Sequence, residues 1–383
     1  MKVKSIELEN FRNYKKIFIE FIHKYNIIFG KNAQGKTNLI EAIFLCASGR
    51  SHRTSKDIEL VRNNETGYSV NAHINKTYND TKIMIKYNIN EKKLLYINEI
   101  QQKKIGSLMG NLNAVIFSPE DLQIIKEGPM NRRKFIDIAL SQIKPSYFFD
   151  LQRYYKILEQ RNALLREIGN RISERKLLSS LDIWNMSMAE AASRIMIARS
   201  NFIGKISRYA FKRHTMLTCG TEYLDISYMP SINIGEHKKN NENDEKDSIN
   251  FLKNYFIEVL EKNADREIKK GASLFGPQRD DLYFSINSFD ARTHASQGQQ
   301  RTAILSLKLA EKDIMKEYTD EEPVLLLDDV MSELDQSRQS FLLESLTDTQ
   351  AFITCTNRDI YLNLSKEDTS FLNVQDGNIN FIC

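Results

Sequence analysis

The sequence predicts an α/β fold in which both ends of the chain build one parallel sheet and an α-helical insertion lies between them. Two apolar runs, 25–29 and 323–327, indicate strands buried on both faces of such a sheet. A glycine-rich turn and the helix-like stretch 38–47 follow the first run, which gives a strand, loop and helix in order. From about residue 130 to 213 apolar side chains instead recur at helical spacing.

The glycine-rich turn carries a phosphate-binding pattern. GKNAQGKT matches G-x-x-x-x-G-K-[ST], in which backbone N–H groups and the helix N-terminus point at a polyphosphate. Lys36 is expected to reach the β- and γ-phosphates, and the Thr37 hydroxyl to bind Mg²⁺. The sequence therefore predicts a nucleotide site for ATP and Mg²⁺ formed by nine consecutive residues, Gly30, Lys31, Asn32, Ala33, Gln34, Gly35, Lys36, Thr37 and Asn38.

The second apolar run ends in two carboxylates, Asp328 and Asp329. An α/β sheet places its chemistry at the carboxyl ends of its strands. Asp328, 292 residues after Lys36, is the natural partner for Mg²⁺. Asp329 is the candidate for polarising the water that attacks the γ-phosphate. With Lys36, these two acids are the predicted catalytic residues.

A serine- and glycine-containing string precedes a third helical pattern. The residues ASQGQQRT, 295–302, resemble the signature motif of ABC-type ATPases, and Ser296, Gly298 and Gln299 would face a γ-phosphate. The alternative is an N-capped core helix with no such role. The order of motifs along the chain, which continues with SELD at 332–335 and an apolar run at 351–355, favours an ABC-type P-loop ATPase head. In that class one subunit's signature closes on the nucleotide of another, which implies an ATP-dependent homodimer.

The helical insertion is basic. Residues 126–213 contain 18 Lys and Arg against 8 Asp and Glu, whereas the rest of the chain contains 36 against 42. The basic side chains of this insertion are expected to face mostly outward and to form a footprint for the phosphate backbone of DNA. Those singled out are Arg153, Lys156, Arg161, Arg166, Arg171, Arg194, Arg199, Arg208, Lys212 and Arg213.

Composition excludes several other classes. The four cysteines show no metal-binding spacing, which favours a reducing cytoplasm. The N-terminus alternates polar and apolar residues like a strand, and no apolar segment is long enough to span a bilayer, so no membrane partner is expected.

The organisation that follows has three parts: an N-terminal lobe of the head, 1–125, a basic helical arm, 126–265, and a C-terminal lobe, 266–383. Strands are predicted at 3–8, 16–21, 68–74, 82–87, 113–117 and 282–286. The polar stretch 231–250 is predicted to be a surface loop, followed by a helix at 251–269.

Taken together, the motifs resemble those of the RecF family of bacterial recombination mediators. The similarity covers essentially the whole chain and includes FRNY at 11–14, GKNAQGKT at 30–37, SHRT at 51–54, FSPEDL at 117–122, GPQRDDL at 276–282, SQGQQRT at 296–302 and LLLDDVMSELD at 325–335. The resemblance implies a short-armed ATPase of the SMC and Rad50 class. It also implies ATP-dependent dimerisation, binding to double-stranded and gapped DNA, and cooperation with RecR and RecO in loading the recombinase RecA.

Some positions depart from the wider ABC pattern. Asp329 stands where most such ATPases have a longer glutamate, Glu120 lies near where a glutamine is expected, and 354–357 contains no histidine, so a threonine hydroxyl is expected to replace it in part. These differences predict slow turnover. Arg12 is a candidate for an extra phosphate contact, and His52 for a local hydrogen bond. No role beyond a turn is evident for 276–282.

Two rival functions remain open, and two others fit the motifs poorly. A non-enzymatic scaffold would use ATP only to hold a complex of DNA or protein together, and a different short-arm SMC-like ATPase would share the motifs. The ATPase subunit of a transporter usually has its phosphate loop and acidic strand much closer together. A small-molecule kinase would leave the signature string without a function.

Overall fold

The protein is described here by a computed structural model, which covers residues 1–170, 175–232, 245–358, 361 and 364–382. Fifteen described strands form three sheets. In chain order they are β1 (Lys2–Phe11), β2 (Tyr14–Glu20), β3 (Tyr25–Phe29), β4 (Gly67–Asn75), β5 (Asp80–Asn88), β6 (Leu94–Ile97), β7 (Ile100–Gln102), β8 (Ala114–Phe117), β9 (Leu224–Met229), β10 (Asp281–Ile286), β11 (Phe289–Asp290), β12 (Val324–Asp328), β13 (Ala351–Cys355), β14 (Thr369–Gln375) and β15 (Asn378–Ile382).

Nine α-helices are described, and most of the predicted ones are present. They are α1 (Lys36–Ser48), α2 (Gln123–Lys126), α3 (Pro129–Ile143), α4 (Pro145–Asn170), α5 (Arg175–Leu217), α6 (Glu245–Lys262), α7 (Ala264–Lys270), α8 (Gln297–Thr319) and α9 (Gln336–Glu344). Of the surface loop predicted at 231–250, residues 245–250 are instead helical and form the start of α6. Glu245 and Asp247 favour a helix N-terminus there, because negative charge stabilises that end of a helix. Residues 233–244 of that loop lie outside the described residues. The helix predicted at 251–269 is interrupted at Asn263.

The central sheet confirms that both chain ends build one α/β unit. Its strand order is β15-β14-β3-β13-β12-β8, and every neighbouring pair is parallel except β14 with β15. Strand β3 from the start of the chain therefore lies between β14 and β13 from its end. The carboxyl ends of β3 and β12 meet at one edge of the sheet, and the predicted nucleotide site occupies that edge.

Two hydrophobic clusters cover the two faces of this sheet. On one face Ile28, Phe352 and Leu372 pack with α1 and with an antiparallel sheet of order β2-β1-β4-β5-β6-β7. On the other face Ile27 and Ile353 belong to a cluster that includes α3, α5, α8 and the small sheet β11-β10-β9. The sheet is thus the middle layer of the head, with its strands buried on both faces as the apolar runs predict.

The helical insertion packs closely against the C-terminal lobe. Helix α5 has 43 residues, and its apolar stripe joins the same cluster as α8. Helix α4 pairs with α5, and a separate small cluster of Leu164, Leu165, Ile168 and Leu181 joins the end of α4 to the start of α5. The later part of α5 therefore belongs to the core of the head, and its start shares a second, smaller core with α4.

Two arginines of the insertion contradict the prediction of outward-facing charges. Arg161 and Arg199 are completely buried. Arg161 donates to Glu267 of α7 at 2.6 Å, and Arg199 donates to Asp137 of α3 at 2.8 Å. Each guanidinium is paired with a carboxylate from another helix, which is the condition under which a charge can be buried. Arg171, also in the predicted set, lies outside the described residues.

Candidate nucleotide site

The phosphate loop runs from the end of β3 into α1. Gly30 and Gly35 have φ of 150° and 118°, in the region that favours glycine. A Cβ on Gly30 would lie 2.4 Å from the backbone oxygen of Val374, and one on Gly35 would lie 2.6 Å from Asn13 Nδ2. Both glycines are therefore required for backbone conformation and for close packing, independently of any ligand.

The FRNY segment holds this loop from one side. Asn13 Nδ2 donates to the carbonyl of Gln34 at 2.7 Å, and Asn13 Oδ1 accepts from Asn38 Nδ2 at 2.8 Å. The Tyr14 hydroxyl donates to the carbonyl of Gly35 at 2.9 Å. Asn13 and Tyr14 were not predicted as parts of the site. The FRNY string that contains them was noted only as one of the motifs of the family resemblance.

Lys36 folds back onto its own loop. Its Nζ donates to the carbonyls of Gly30 and Lys31 at 2.6 and 2.9 Å. Burial lowers the pKa of Lys36, while the nearby Asp329, Cys355 and Asp328 oppose that shift. The ammonium of Lys36 thus has two carbonyl acceptors and two carboxylates near it. A phosphate oxygen could replace the carbonyls as acceptor while the ammonium stays at the same edge of the sheet.

Thr37 and Asp328 meet across the edge of the sheet. The Thr37 hydroxyl donates to Asp328 Oδ1 at 2.9 Å, and the Thr354 hydroxyl donates to the same oxygen at 2.7 Å. Burial raises the pKa of Asp328, although both hydrogen bonds act in the opposite direction. A hydroxyl and a carboxylate oxygen in this arrangement fit Mg²⁺, which prefers oxygen ligands and usually completes its shell with phosphates and water.

No cluster of three or more His, Cys, Asp or Glu side chains suited to a metal occurs in the described part of the chain. A divalent ion between Thr37 and Asp328 would therefore depend on nucleotide oxygens for its remaining ligands.

Asp329 begins a tight turn after β12. It has φ of 54°, in the left-handed region, and its N–H donates to the Thr354 hydroxyl at 2.9 Å. The Thr354 side chain is buried and links Asp328 to Asp329, so it is not free to replace a histidine that touches the γ-phosphate. Thr356, two residues later, is exposed and carries the remaining hydroxyl of that segment.

Arg12 lies beside the loop but is held by Glu41 of α1. Its Nε and one Nη donate to the two oxygens of Glu41 at 2.8 Å each, and its other Nη donates to the carbonyl of Glu59 at 2.7 Å. Burial disfavours the charge on Glu41, but the hydrogen bonds from Arg12 and Ser51 outweigh it and keep the pKa of Glu41 low. Arg53 Nη1 lies 3.5 Å from the same carboxylate. FRNY and SHRT therefore meet at Glu41 beneath the loop.

His52 does not make the predicted local hydrogen bond through its ring. Both ring nitrogens are buried without a partner among the described residues, and the ring packs edge-on against Phe44 with centroids 5.6 Å apart. Burial lowers the pKa of His52 to about 4, so the ring is neutral at physiological pH. Its packing on Phe44, rather than its polarity, accounts for its place in the fold.

The signature string lies at the N-terminus of α8. The Ser296 hydroxyl accepts from the N–H of Gln299 at 3.2 Å, and Gln299 Oε1 accepts from the N–H of Ser296 at 2.8 Å, which is a capping box. Gln299 Nε2 donates to Glu222 at 2.9 Å. Ser296 and Gly298 are exposed. Among the described residues, no hydrogen bond joins this helix tip to the phosphate loop of its own chain.

The segment 276–282 has a structural role that the sequence does not reveal. Asp280 is 1% exposed and accepts from Arg199 Nη1 at 3.2 Å and from the N–H of Ser231 at 2.8 Å. Its neighbour Asp281 pairs with Arg132 of α3, with Nη2 and Oδ2 3.0 Å apart. The turn into β10 therefore joins the small sheet to α3 and α5.

Comparisons with known proteins show the family to which the chain belongs. Residues 2–379 match the family described as RecF/RecN/SMC N terminal domain. The DNA replication and repair protein RecF of Acetivibrio thermocellus is 52% identical over 377 residues, which are 98% of this chain and 99% of that protein. The protein of the same name from Ruminiclostridium cellulolyticum is 48% identical over 381 residues, 99% of each chain. The chain is a member of the RecF family.

Solved structures place the RecF-family chain in the same fold. A structure of the recombination mediator protein RecF-ATP in the RecFOR pathway has a TM-score of 0.89 at 38% identity and covers 100% of this chain and 97% of that one. An Smc head bound to the C-winged helix domain of ScpA has a TM-score of 0.54 at 16% identity, with coverage of 100% and 97%, and shows the likeness of fold alone. The predicted ABC-type head is thereby confirmed. No described helix combines the length and apolar character needed to cross a bilayer.

Proposed function

We propose that this RecF-family protein is a weak, DNA-stimulated ATPase that mediates recombination in single-strand gap repair and replication restart. Two copies close on ATP, hold double-stranded or gapped DNA, and help to load the recombinase RecA together with RecR and RecO. Slow hydrolysis then opens the pair. The family membership and the ATP-bound relative support this proposal.

One structural observation supports the pairing of two chains on ATP. Lys36, Thr37, Asp328 and Asp329 gather at one edge of the sheet, whereas Ser296 and Gly298 are exposed on a helix tip with no hydrogen bond to that edge in the described part of the chain. A nucleotide held by the phosphate loop would therefore lack the signature residues unless a second chain supplied them. A two-fold pair, in which each chain gives its helix tip to the other, satisfies both sites at once.

The roles of the residues follow from their positions. The N–H groups of 30–38 and the ammonium of Lys36 bind and orient the phosphates. Mg²⁺, when bound, would neutralise the charge that develops on the transferred phosphoryl group. Thr37 and Asp328 would hold it, and Asp329 would orient the attacking water and accept its proton. The guanidinium of Arg12 is held by Glu41. Arg12 would therefore influence the phosphates indirectly, by supporting the loop that binds them.

Lys36→Ala tests the proposal. The variant should stay folded and have the wild-type melting temperature, since the two hydrogen bonds of Lys36 are to carbonyls of its own loop and not to another element, but it should neither bind ATP nor pair when ATP is added. Sedimentation with and without ATP measures pairing. Lys31→Ala, in the same loop with an exposed side chain, is the matched control and should still pair. ATP-dependent pairing of Lys36→Ala at wild-type strength would contradict the proposal.

Asp329→Asn separates the ATPase from a scaffold that uses ATP only as a ligand. The variant keeps the size of the side chain and removes its charge, so it should still pair with ATP while DNA-stimulated phosphate release falls at least about a hundredfold. Equal release by wild type and variant would indicate that hydrolysis is incidental.

A further inference from the structure

A wide open cavity lies away from the nucleotide site, between the last turns of α5 and the strands β9 and β10. Its volume is about 720 Å³, and its wall includes Arg208, Phe211 and Lys212 of α5 and Tyr223 and Asp225 of the segment that follows. This volume is ample for one nucleotide. None of these residues belongs to the phosphate loop, the acidic strand or the signature string.

Two aromatic rings form a flat platform in this cavity. Phe211 and Tyr223 are stacked with their centroids 5.9 Å apart and their planes inclined by 15°. Their side chains remain 43% and 54% exposed, although most of the large apolar side chains of this lobe are buried. A stacked pair of exposed rings offers a free π-face to another flat, apolar group, and every nucleobase has such a face.

Two cations beside the platform have no carboxylate within ion-pair distance in the described part of the chain. Arg208 Nε donates only to the carbonyl of Gly204, and Lys212 Nζ lies 6.0 Å from the ring centre of Tyr209. Both side chains are exposed. They are therefore available to a phosphate.

The acids of the cavity are already engaged. Glu317 accepts from Lys205 and from the Tyr209 hydroxyl, each at 2.8 Å. Asp225 accepts from the hydroxyls of Ser207 and Ser227 at 3.3 and 2.7 Å. These hydrogen bonds reduce the repulsion that the two carboxylates would exert on an incoming phosphate, while Arg208 and Lys212 attract it.

We propose that this cavity binds an unpaired nucleotide of single-stranded DNA, with the base stacked on the Phe211–Tyr223 pair and the adjoining phosphates on Arg208 and Lys212. The bases of a duplex are covered by their own neighbours, so a duplex can use the two cations but not the platform. The proposal rests on the DNA-binding function proposed above and adds a preference to it: gapped DNA should bind more tightly than duplex because only the gap presents a free base.

Fluorescence anisotropy of the full-length protein tests this with three DNA probes of equal length: a 20-nucleotide single strand, a blunt duplex, and a duplex with a five-nucleotide gap. Phe211→Ala should weaken binding of the single strand and the gap about tenfold and change duplex binding less than twofold. Phe289→Ala removes an aromatic ring that is 65% exposed but outside the cavity, and serves as the matched control. Phe211→Trp should restore the affinity. Melting temperatures verify that each variant is folded.

A second readout follows the base itself. A 2-aminopurine in the single strand should lose fluorescence on binding to wild type and to Phe289→Ala, and much less on binding to Phe211→Ala. Equal affinity of Phe211→Ala and Phe289→Ala for the gap, or equal losses for gap and duplex, would overturn the stacking site. Failure of the wild type to bind any of the DNA probes would instead contradict the proposed function, so the two failures are distinguishable.

Discussion

At the scale of single residues, Arg199 and Asp280 show how the polar segment 276–282 stabilises the fold. The guanidinium of Arg199 is fully buried and also donates to the Tyr147 hydroxyl at 3.0 Å and to the carbonyl of Pro277 at 2.7 Å. Burial raises the pKa of Asp280, and Arg199 is the main group that opposes this shift. Removing the arginine would leave two carboxylates, Asp280 and Asp137, without their cation.

Arg199→Met should lower the free energy of unfolding by about 3–5 kcal/mol, because the charges left behind have no compensating partner. Arg208→Met, an exposed position on the same helix, should change it by less than about 0.5 kcal/mol. Urea denaturation monitored by circular dichroism measures both. A small effect at Arg199 would mean that water or a rearranged side chain replaces the guanidinium.

Glu311 of α8 makes the stability sensitive to pH. It is buried, and Lys308 lies 3.3 Å from it and 3.4 Å from Asp121, so two acids share one cation. Burial, with Asp121 adding to it, raises the pKa of Glu311 from its usual 4.5 to about 7. Between these values the folded protein holds a proton that the unfolded chain releases, so this group lowers stability as pH rises from 4.5 through 7.

Glu311→Gln removes the titrating group. Its stability relative to wild type should therefore rise by about 2–3 kcal/mol between pH 5 and pH 8, since one unit of pKa corresponds to about 1.4 kcal/mol. Urea denaturation at the two pH values gives the difference. Glu344→Gln, exposed on α9, should show no such change. A constant difference between Glu311→Gln and wild type would rule out titration of Glu311 in this range.

Individual residues differ in how well their place in the fold can be predicted from the sequence. The phosphate loop could be located because its glycines, lysine and threonine have fixed spacing within eight residues. Arg161 and Arg199 could not be identified as buried, since their carboxylate partners, Glu267 and Asp280, come from distant parts of the chain. Local periodicity contains no information about a partner that folding brings in later.

At the scale of elements, the best-predicted strands are those that the head buries on both faces. Strands β3, β12 and β13 are mostly apolar, with one polar residue each, and that pattern is enough to locate them. Strands β14 and β15 were not predicted, although Asp376 and Gly377, with φ of 48° and 73°, form the tight hairpin turn between them. The pairing of β14 with β3 joins the two ends of the chain. No local sequence pattern predicts that pairing.

Helix α8 allows its structural and functional roles to be separated. The Ser296 hydroxyl caps the helix, so Ser296→Ala should lower stability by about 1 kcal/mol. Ser296→Asp keeps a capping oxygen and so keeps the stability, but it places a negative charge where the partner's γ-phosphate is proposed to bind. We therefore expect Ser296→Asp to fold like wild type and to fail to pair in sedimentation with ATP. Normal pairing of this variant would leave Ser296 with the capping role alone.

At the scale of the whole molecule, the ion pairs show how much of the positive charge of the basic insertion is available to DNA. Its net charge of +10 comes from residues 126–213, but six of its cations pair with acids that lie outside that range. The pairs are Arg132 with Asp281, Lys144 with Glu245, Arg161 with Glu267, Arg199 with Asp280, Lys205 with Glu317 and Arg213 with Asp313. Much of the excess therefore holds the insertion to the rest of the protein and is not available to DNA.

The cations that remain define the expected footprint on DNA. Among the basic side chains described at 126–170 and 179–213, five are exposed and have neither a carboxylate within 4.0 Å nor a hydrogen bond to a neighbouring element: Lys126, Lys156, Arg166, Arg208 and Lys212. Counterion release by five phosphate contacts would give a slope of about −4.5 for log affinity against log salt concentration, per protomer bound. Use of the full net charge would give about −9.

The salt dependence of duplex binding therefore measures how the insertion is used. We expect a slope near the smaller value, from anisotropy titrations between about 50 and 200 mM salt. Lys156→Gln should reduce its magnitude by about one, whereas Arg194→Gln, which removes a cation already paired with Asp150 and Glu190, should change it by less than about half a unit. A flat response would remove the insertion from the DNA site. A slope of about −9 would mean that the ion pairs open when DNA binds, so that the same cations hold the fold in one state and the phosphates in the other.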